Sequence, residues 1–130
     1  MKSKLWFALV LTWSATVLLA QDPVGTWQGT LTDSNGNIRI AMKVTRGPSG
    51  VLEGQLFNVD RGIARGPVRA LSVEGSAMEF AIGDMTFAGQ FAKDGNSIVG
   101  RLRQGANGTL LTLVRATPET SWPLPAPPKP

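Results

Sequence analysis

From residue 38 to residue 45 the chain reads Ile-Arg-Ile-Ala-Met-Lys-Val-Thr, with a large apolar side chain at every second position. A period of two belongs to a β-strand with one dry and one wet face, whereas a helix repeats its apolar positions every three or four residues. The alternation returns, less strictly, at residues 25–31, 52–58, 71–73, 78–82, 85–91, 98–102 and 111–115, which predicts eight strands. Between them stand Ser34-Asn35-Gly36-Asn37, Gly47-Pro48-Ser49-Gly50, Glu74-Gly75-Ser76, Asp94-Gly95-Asn96 and Gly105-Ala106-Asn107-Gly108. Their Asn-Gly and Asp-Gly pairs supply the positive φ that tight hairpins need. Nothing after residue 20 repeats with a helical period, so the chain reads as an all-β antiparallel meander.

The first twenty residues are set apart. Lys2 and Lys4 precede a mostly apolar, uncharged run over residues 5–20 that ends on Ala20. This is the pattern of an export signal. Its sixteen uncharged residues fall short of the ~20 that span a bilayer, so no stable membrane anchor is expected. Cleavage is expected after Ala20 and a periplasmic or extracellular location follows, although Leu18 is an unusual residue at the third place before the cut. The remaining 110 residues make one domain of ordinary size. With no cysteine to cross-link it in an oxidising compartment, that domain must rely on core packing. Removing Lys2 and Lys4 lowers the net charge from +4 to +2, too little to point to nucleic acid or a membrane surface.

A weak repeat suggests how the sheet is shaped. Trp27-Gln28-Gly29-Thr30-Leu31, Leu52-Glu53-Gly54-Gln55-Leu56, Phe87-Ala88-Gly89-Gln90-Phe91 and Ile98-Val99-Gly100-Arg101-Leu102 each place a glycine at the middle inward position. Removing a side chain there lets a strand bend, which favours a curled sheet or a barrel over a flat two-sheet sandwich. The inward positions are then Trp27, Leu31, Ile38, Ile40, Met42, Val44, Leu52, Leu56, Leu71, Val73, Met78, Phe80, Ile82, Met85, Phe87, Phe91, Ile98, Leu102, Leu111 and Leu113, all apolar. Eight strands enclose an interior just wide enough to be filled by side chains or to hold one small ligand.

Gly25-x-Trp27 on the first strand, with Leu111-Thr112-Leu113-Val114-Arg115 on the last, resembles the lipocalin and calycin pattern. The resemblance implies an eight-stranded meander, closed or nearly closed, in which Trp27 plugs the base and Arg115 lies across its indole as a barrel-closing pair. Leu111, Leu113 and Arg115 share a face, as this requires. Lipocalins usually have longer strands and a C-terminal helix, and this chain shows neither. A closer resemblance covers residues 22–31, the strands to Arg115, and Thr117-Pro118-Glu119-Thr120-Ser121-Trp122 with its proline run. These are similar to the N-terminal lipocalin-like domain of a bacterial family of secreted soil-associated proteins, itself of unknown function; similar domains also precede secreted α/β-hydrolase domains. The resemblance implies the domain plan: signal peptide 1–20, barrel 21–116, and a Pro-rich disordered tail or linker 117–130 of the kind that leads to a further domain in those proteins.

That tail holds six of the nine prolines and is expected to be extended and solvent-exposed, a spacer rather than a ligand for an aromatic groove. Trp122 within it suits either the barrel's outer wall or a partner. The sequence has no histidine, cysteine or tyrosine, which removes the usual bases and nucleophiles, and its acids have no metal-ligand spacing. Glu79 with Asp84 is the nearest carboxylate pair, and Glu79 belongs to the wet face. The reading is therefore a non-enzyme without cofactor or metal.

Arg61, Arg65 and Arg69, spaced by four with Gly62 and Gly66 among them, form a candidate anion loop for phosphate or carboxylate. The plainer reading is a solvated crossing loop, and the lack of interleaved aromatics argues against single-stranded nucleic acid. Two functions remain open. One is a carrier of a small hydrophobic molecule against Trp27, Met42, Leu56, Phe80, Phe87 and Phe91. The other is an accessory or protein-interaction module with a filled barrel, meeting its partner through the outer face or the Pro-rich tail; Val51, Phe57, Val99, Leu110 and Val114 fall on that outer face. Apart from Arg115, no inward polar group is expected.

Overall fold

The computed structural model describes residues 22–33 and 36–125, so the export segment read in residues 1–20 lies outside the described residues, as do residues 126–130. Nine strands follow one another: β1 (Gly25–Asp33), β2 (Gly36–Arg46), β3 (Leu52–Asn58), β4 (Ile63–Pro67), β5 (Arg69–Glu74), β6 (Ala77–Ile82), β7 (Met85–Phe91), β8 (Ser97–Gln104) and β9 (Asn107–Arg115). They form one antiparallel sheet in the order β4-β3-β2-β1-β9-β8-β7-β6-β5. Its two outermost strands, β4 and β5, are separated in the chain by Val68 alone. The sheet therefore curls into a nearly closed barrel.

The ninth strand corrects the expected eight. Ile63-Ala64-Arg65-Gly66-Pro67 has no apolar alternation and by sequence is a connection, yet it pairs with β3 through Asn58↔Ile63, Phe57↔Ala64, Leu56↔Gly66 and Gln55↔Pro67, with a bulge between Leu56 and Phe57. Pairing on one side alone is what lets a strand tolerate its glycine and proline. The chain then kinks. Val68 N–H donates to Gly54 O at 2.9 Å, Ala70 takes a positive φ of 54°, and β5 pairs with β6 instead. The barrel is thus closed by one bent run that leaves β3 and joins β6 halfway along.

Alternating strand direction sorts the connections to two ends. Those after β3, β6 and β8 lie at one end, the mouth. Those after β2, β5 and β7 lie at the other, the floor, with the start of β1 and the end of β9. At the floor, Asp94-Gly95-Asn96 turns β7 into β8 with Gly95 at φ 75°, where a side chain would be strained.

The residues expected to point inward all belong to the core or pack against it, and Val68 joins them. The repeated glycines have a specific cause. A Cβ on Gly29 would lie 2.4 Å from Thr112 O, on Gly100 2.4 Å from Ala88 O, on Gly89 2.8 Å from the Phe87 ring, and on Gly54 2.9 Å from Val68 Cγ2. Each missing side chain makes room for a neighbouring strand or for a large side chain packed beside it, so the barrel can close tightly around few residues.

Candidate functional site

The barrel is filled from the floor upward. Trp27 is fully buried, and its indole N–H donates to Pro23 O at 2.9 Å. Arg115 is its register partner on β9, with the guanidinium carbon 4.3 Å from the ring centroid. The fork of Arg115 donates to Val24 O and Asp22 O at 2.8 Å and to Gly95 O at 3.1 Å. One side chain therefore joins the segment before β1, the end of β9 and the β7–β8 turn. Phe91 meets Trp27 edge-on at 5.7 Å, and above them Phe80 and Phe87 stack at 5.1 Å.

What space remains lies under the mouth. A pocket of about 80 Å³ is lined by Leu31, Ile38, Ile40, Leu56, Asn58, Arg65, Phe80, Ile82, Met85, Leu102 and Leu111. Of the six residues expected to line a ligand site, Leu56 and Phe80 reach it; Trp27, Met42, Phe87 and Phe91 are packed below. The pocket is less than a third of the ~300 Å³ at which small-molecule sites begin.

Asn58 corrects the expectation of no inward polar group besides Arg115. It is 7 % exposed, opposite Ile40, and its Oδ1 accepts from Arg61 N–H at 3.0 Å. Its parity with Leu52 and Leu56 was legible; its place at the end of the strand concealed its burial. The three arginines disperse. Arg61 sits in the turn after β3, Arg65 lines the pocket from β4, and Arg69 on β5 opposes Ala81 on the outer face, where it donates to Gly83 O. Residues four apart on one continuous strand would share a face; Arg65 is the extra residue of the bulge opposite Leu56 and Phe57, which breaks that parity.

On the outer wall Val99, Leu110 and Val114 are about half exposed. Val99 opposes Thr112, which lies between Leu110 and Val114 on β9, so the three form one patch. Val51 is exposed but lies apart, beyond the end of β2. Phe57 departs from expectation: outward by parity, it is only 9 % exposed. The tail lies on the same outer wall. Trp122 N–H donates to Gln28 Oε1 at 2.6 Å, Gln28 Nε2 donates to Thr120 O at 3.0 Å, and the Arg39 guanidinium lies 5.2 Å from the Trp122 centroid. Trp122, Leu124 and Pro125 are half-buried, so this stretch is docked on the wall rather than solvent-exposed.

Arg39 is itself held. Its Nε donates to Asp60 Oδ1 at 2.8 Å and its backbone N–H to Oδ2 at 2.7 Å, and these bonds hold the Asp60 carboxyl below its ordinary value. The two acids nearest a catalytic pair stay in separate settings: Glu79 is exposed on the outer face of β6, and Asp84 accepts both its bonds from Gln104 Nε2. Among the described residues no three His, Cys, Asp or Glu groups converge on a metal-sized site. No protein-family profile, curated protein or solved structure matches the chain.

Proposed function

We propose that this chain is an exported, non-catalytic, lipocalin-like domain whose barrel is filled by its own side chains and which acts as an interaction module through its outer wall. The observation that carries the reading is an interior pocket of about 80 Å³, against the ~300–1,000 Å³ of small-molecule sites. The Trp27–Arg115 floor supports the lipocalin-like assignment, and the pattern of residues 1–20 supports export. The Val99, Leu110 and Val114 patch supplies an apolar surface outside a full core.

The second reading, carriage of a small hydrophobic molecule, is favoured by one feature. Asn58 and Arg65 stand at the edge of an otherwise apolar pocket, where polar groups would orient a ligand. Native mass spectrometry of the chain purified from an exporting host separates the two. The filled-barrel reading expects the bare mass, unchanged after incubation with medium- and long-chain fatty acids. A one-to-one adduct that leaves on denaturation would establish the carrier.

A further inference from the structure

Gln28 is one of two polar side chains buried among the described residues, yet it faces outward, opposite Ala41 on one side and Val114 on the other. Its carboxamide nitrogen donates to Thr120 O and its oxygen accepts from Trp122 N–H, so each end of the amide is joined to a main-chain atom of the tail. That is the pair of bonds a neighbouring strand would offer an extended peptide, so Gln28 holds backbone and leaves side-chain choice to the surface around it. The surface chooses an aromatic. Arg39 faces the Trp122 ring, and Asp60 fixes the guanidinium by binding both its Nε and the backbone N–H of the same residue.

Burial follows the same track. Ala41, between Gln28 and Arg39 on the outer face, has no exposed surface, and Phe57 beside it on β3 is 9 % exposed. A bare outer wall leaves such residues in water. The tail meets β1 at Gln28 and β2 at Arg39, and Leu124 and Pro125 beyond it are half-buried. A turn sets it on this course: Thr117 N–H donates to Thr120 Oγ1 at 2.9 Å, and Ser121 N–H to Thr117 O at 2.9 Å.

We propose that the outer face of β1–β3, built by Gln28, Arg39, Ala41, Phe57 and Asp60, is a recognition site for an extended peptide containing a tryptophan, and that the chain fills it in cis with its own residues 120–125. The site adjoins the Val99, Leu110 and Val114 patch at Val114, the register partner of Gln28, but does not depend on that patch binding anything. A tethered segment acts at an effective concentration of ~1 mM, so if the tail sequence binds the open site with a Kd of ~100 µM it occupies the site about 90 % of the time and weakens a competing peptide about tenfold. The intact chain is thus closed to competing peptides until its own tail lets go.

The test uses the full chain, opened by Trp122→Ala, and a dye-labelled synthetic peptide of residues 117–125 followed by fluorescence anisotropy. The Trp122→Ala chain should bind the peptide up to about tenfold more tightly than the unaltered chain. Adding Gln28→Leu to Trp122→Ala should abolish that binding, and adding Asp60→Asn should weaken it severalfold; circular dichroism checks that each variant keeps its strands. In parallel, the Gln28 side-chain amide resonance should move in the Trp122→Ala chain and return as peptide is added. Equal peptide binding by the opened and unaltered chains, or binding indifferent to Gln28→Leu in folded protein, overturns the proposal.

Discussion

The two ends of the barrel use similar apolar residues and are closed to different degrees. At the floor Trp27 is fully buried, Phe91 abuts its edge, and Arg115 ties three separate carbonyls over its face. At the mouth Leu31, Ile38, Met85 and Leu102 are half-exposed around a small pocket, with Asn58 and Arg65 beside it. The seams account for the difference. β1 and β9 meet at the floor and are locked there by a branched cation. On the other side, β4 pairs only with β3, leaving the mouth half of the closing run without a partner on β6. A sheet closed by side-chain hydrogen bonds at one end and by a one-sided strand at the other should be rigid at the first and yielding at the second.

Substitutions can break this comparison. Trp27→Ala should have the largest effect, a loss of about 3–5 kcal/mol in urea unfolding, as expected for removing a fully buried aromatic. Gly100→Ala comes next. Its Cβ would press on Ala88 O and Phe87, a backbone clash that cannot be relieved by rotating a side chain, and a loss of about 2–3 kcal/mol is expected from the same measurement.

Arg115→Lys keeps the charge but cannot reproduce a fork that reaches Asp22, Val24 and Gly95, and should lower stability by about 1–2 kcal/mol. Leu102→Ala, at the half-exposed mouth, should lower it by only about 1 kcal/mol. If Leu102→Ala proved as damaging as Trp27→Ala, the two ends would be equally built and the comparison would fail.

The smallest effect is one of pH. Because Asp60 titrates below its ordinary value of 3.8 in the folded chain, the Arg39–Asp60 pair stabilises the fold fully above that value. Its contribution should fade as pH drops through 3.8 and beyond, a loss that Asp60→Asn removes from a thermal-unfolding series.

Most of the barrel was legible because period two records which residues are dry, and the dry residues are the wall's inner lining. The floor was legible through the resemblance of residues 25–27 and 111–115 to the lipocalin pattern, which implied the Trp27–Arg115 pair seen here. The strand β4 was hidden because Ile63-Ala64-Arg65-Gly66-Pro67 has no dry face of its own; pairing with β3 makes it a strand. Asn58 carried the right parity but not the expected chemistry. Gln28 was hidden for another reason. Both its hydrogen bonds go to a segment more than ninety residues away in the chain, and nothing in the local pattern of β1 records what will lie on top of it.

The central claim, a barrel filled from the floor to just beneath its mouth, is tested most directly by titrating isotope-labelled protein with decanoate and following its amide and indole N–H resonances. The account predicts that the Trp27 indole and the amides flanking Phe87 and Phe91 stay fixed, with at most weak movement at Asn58 and Met85. Saturable movement of the Trp27 indole resonance, at one decanoate per chain, would place a ligand inside the barrel and contradict it.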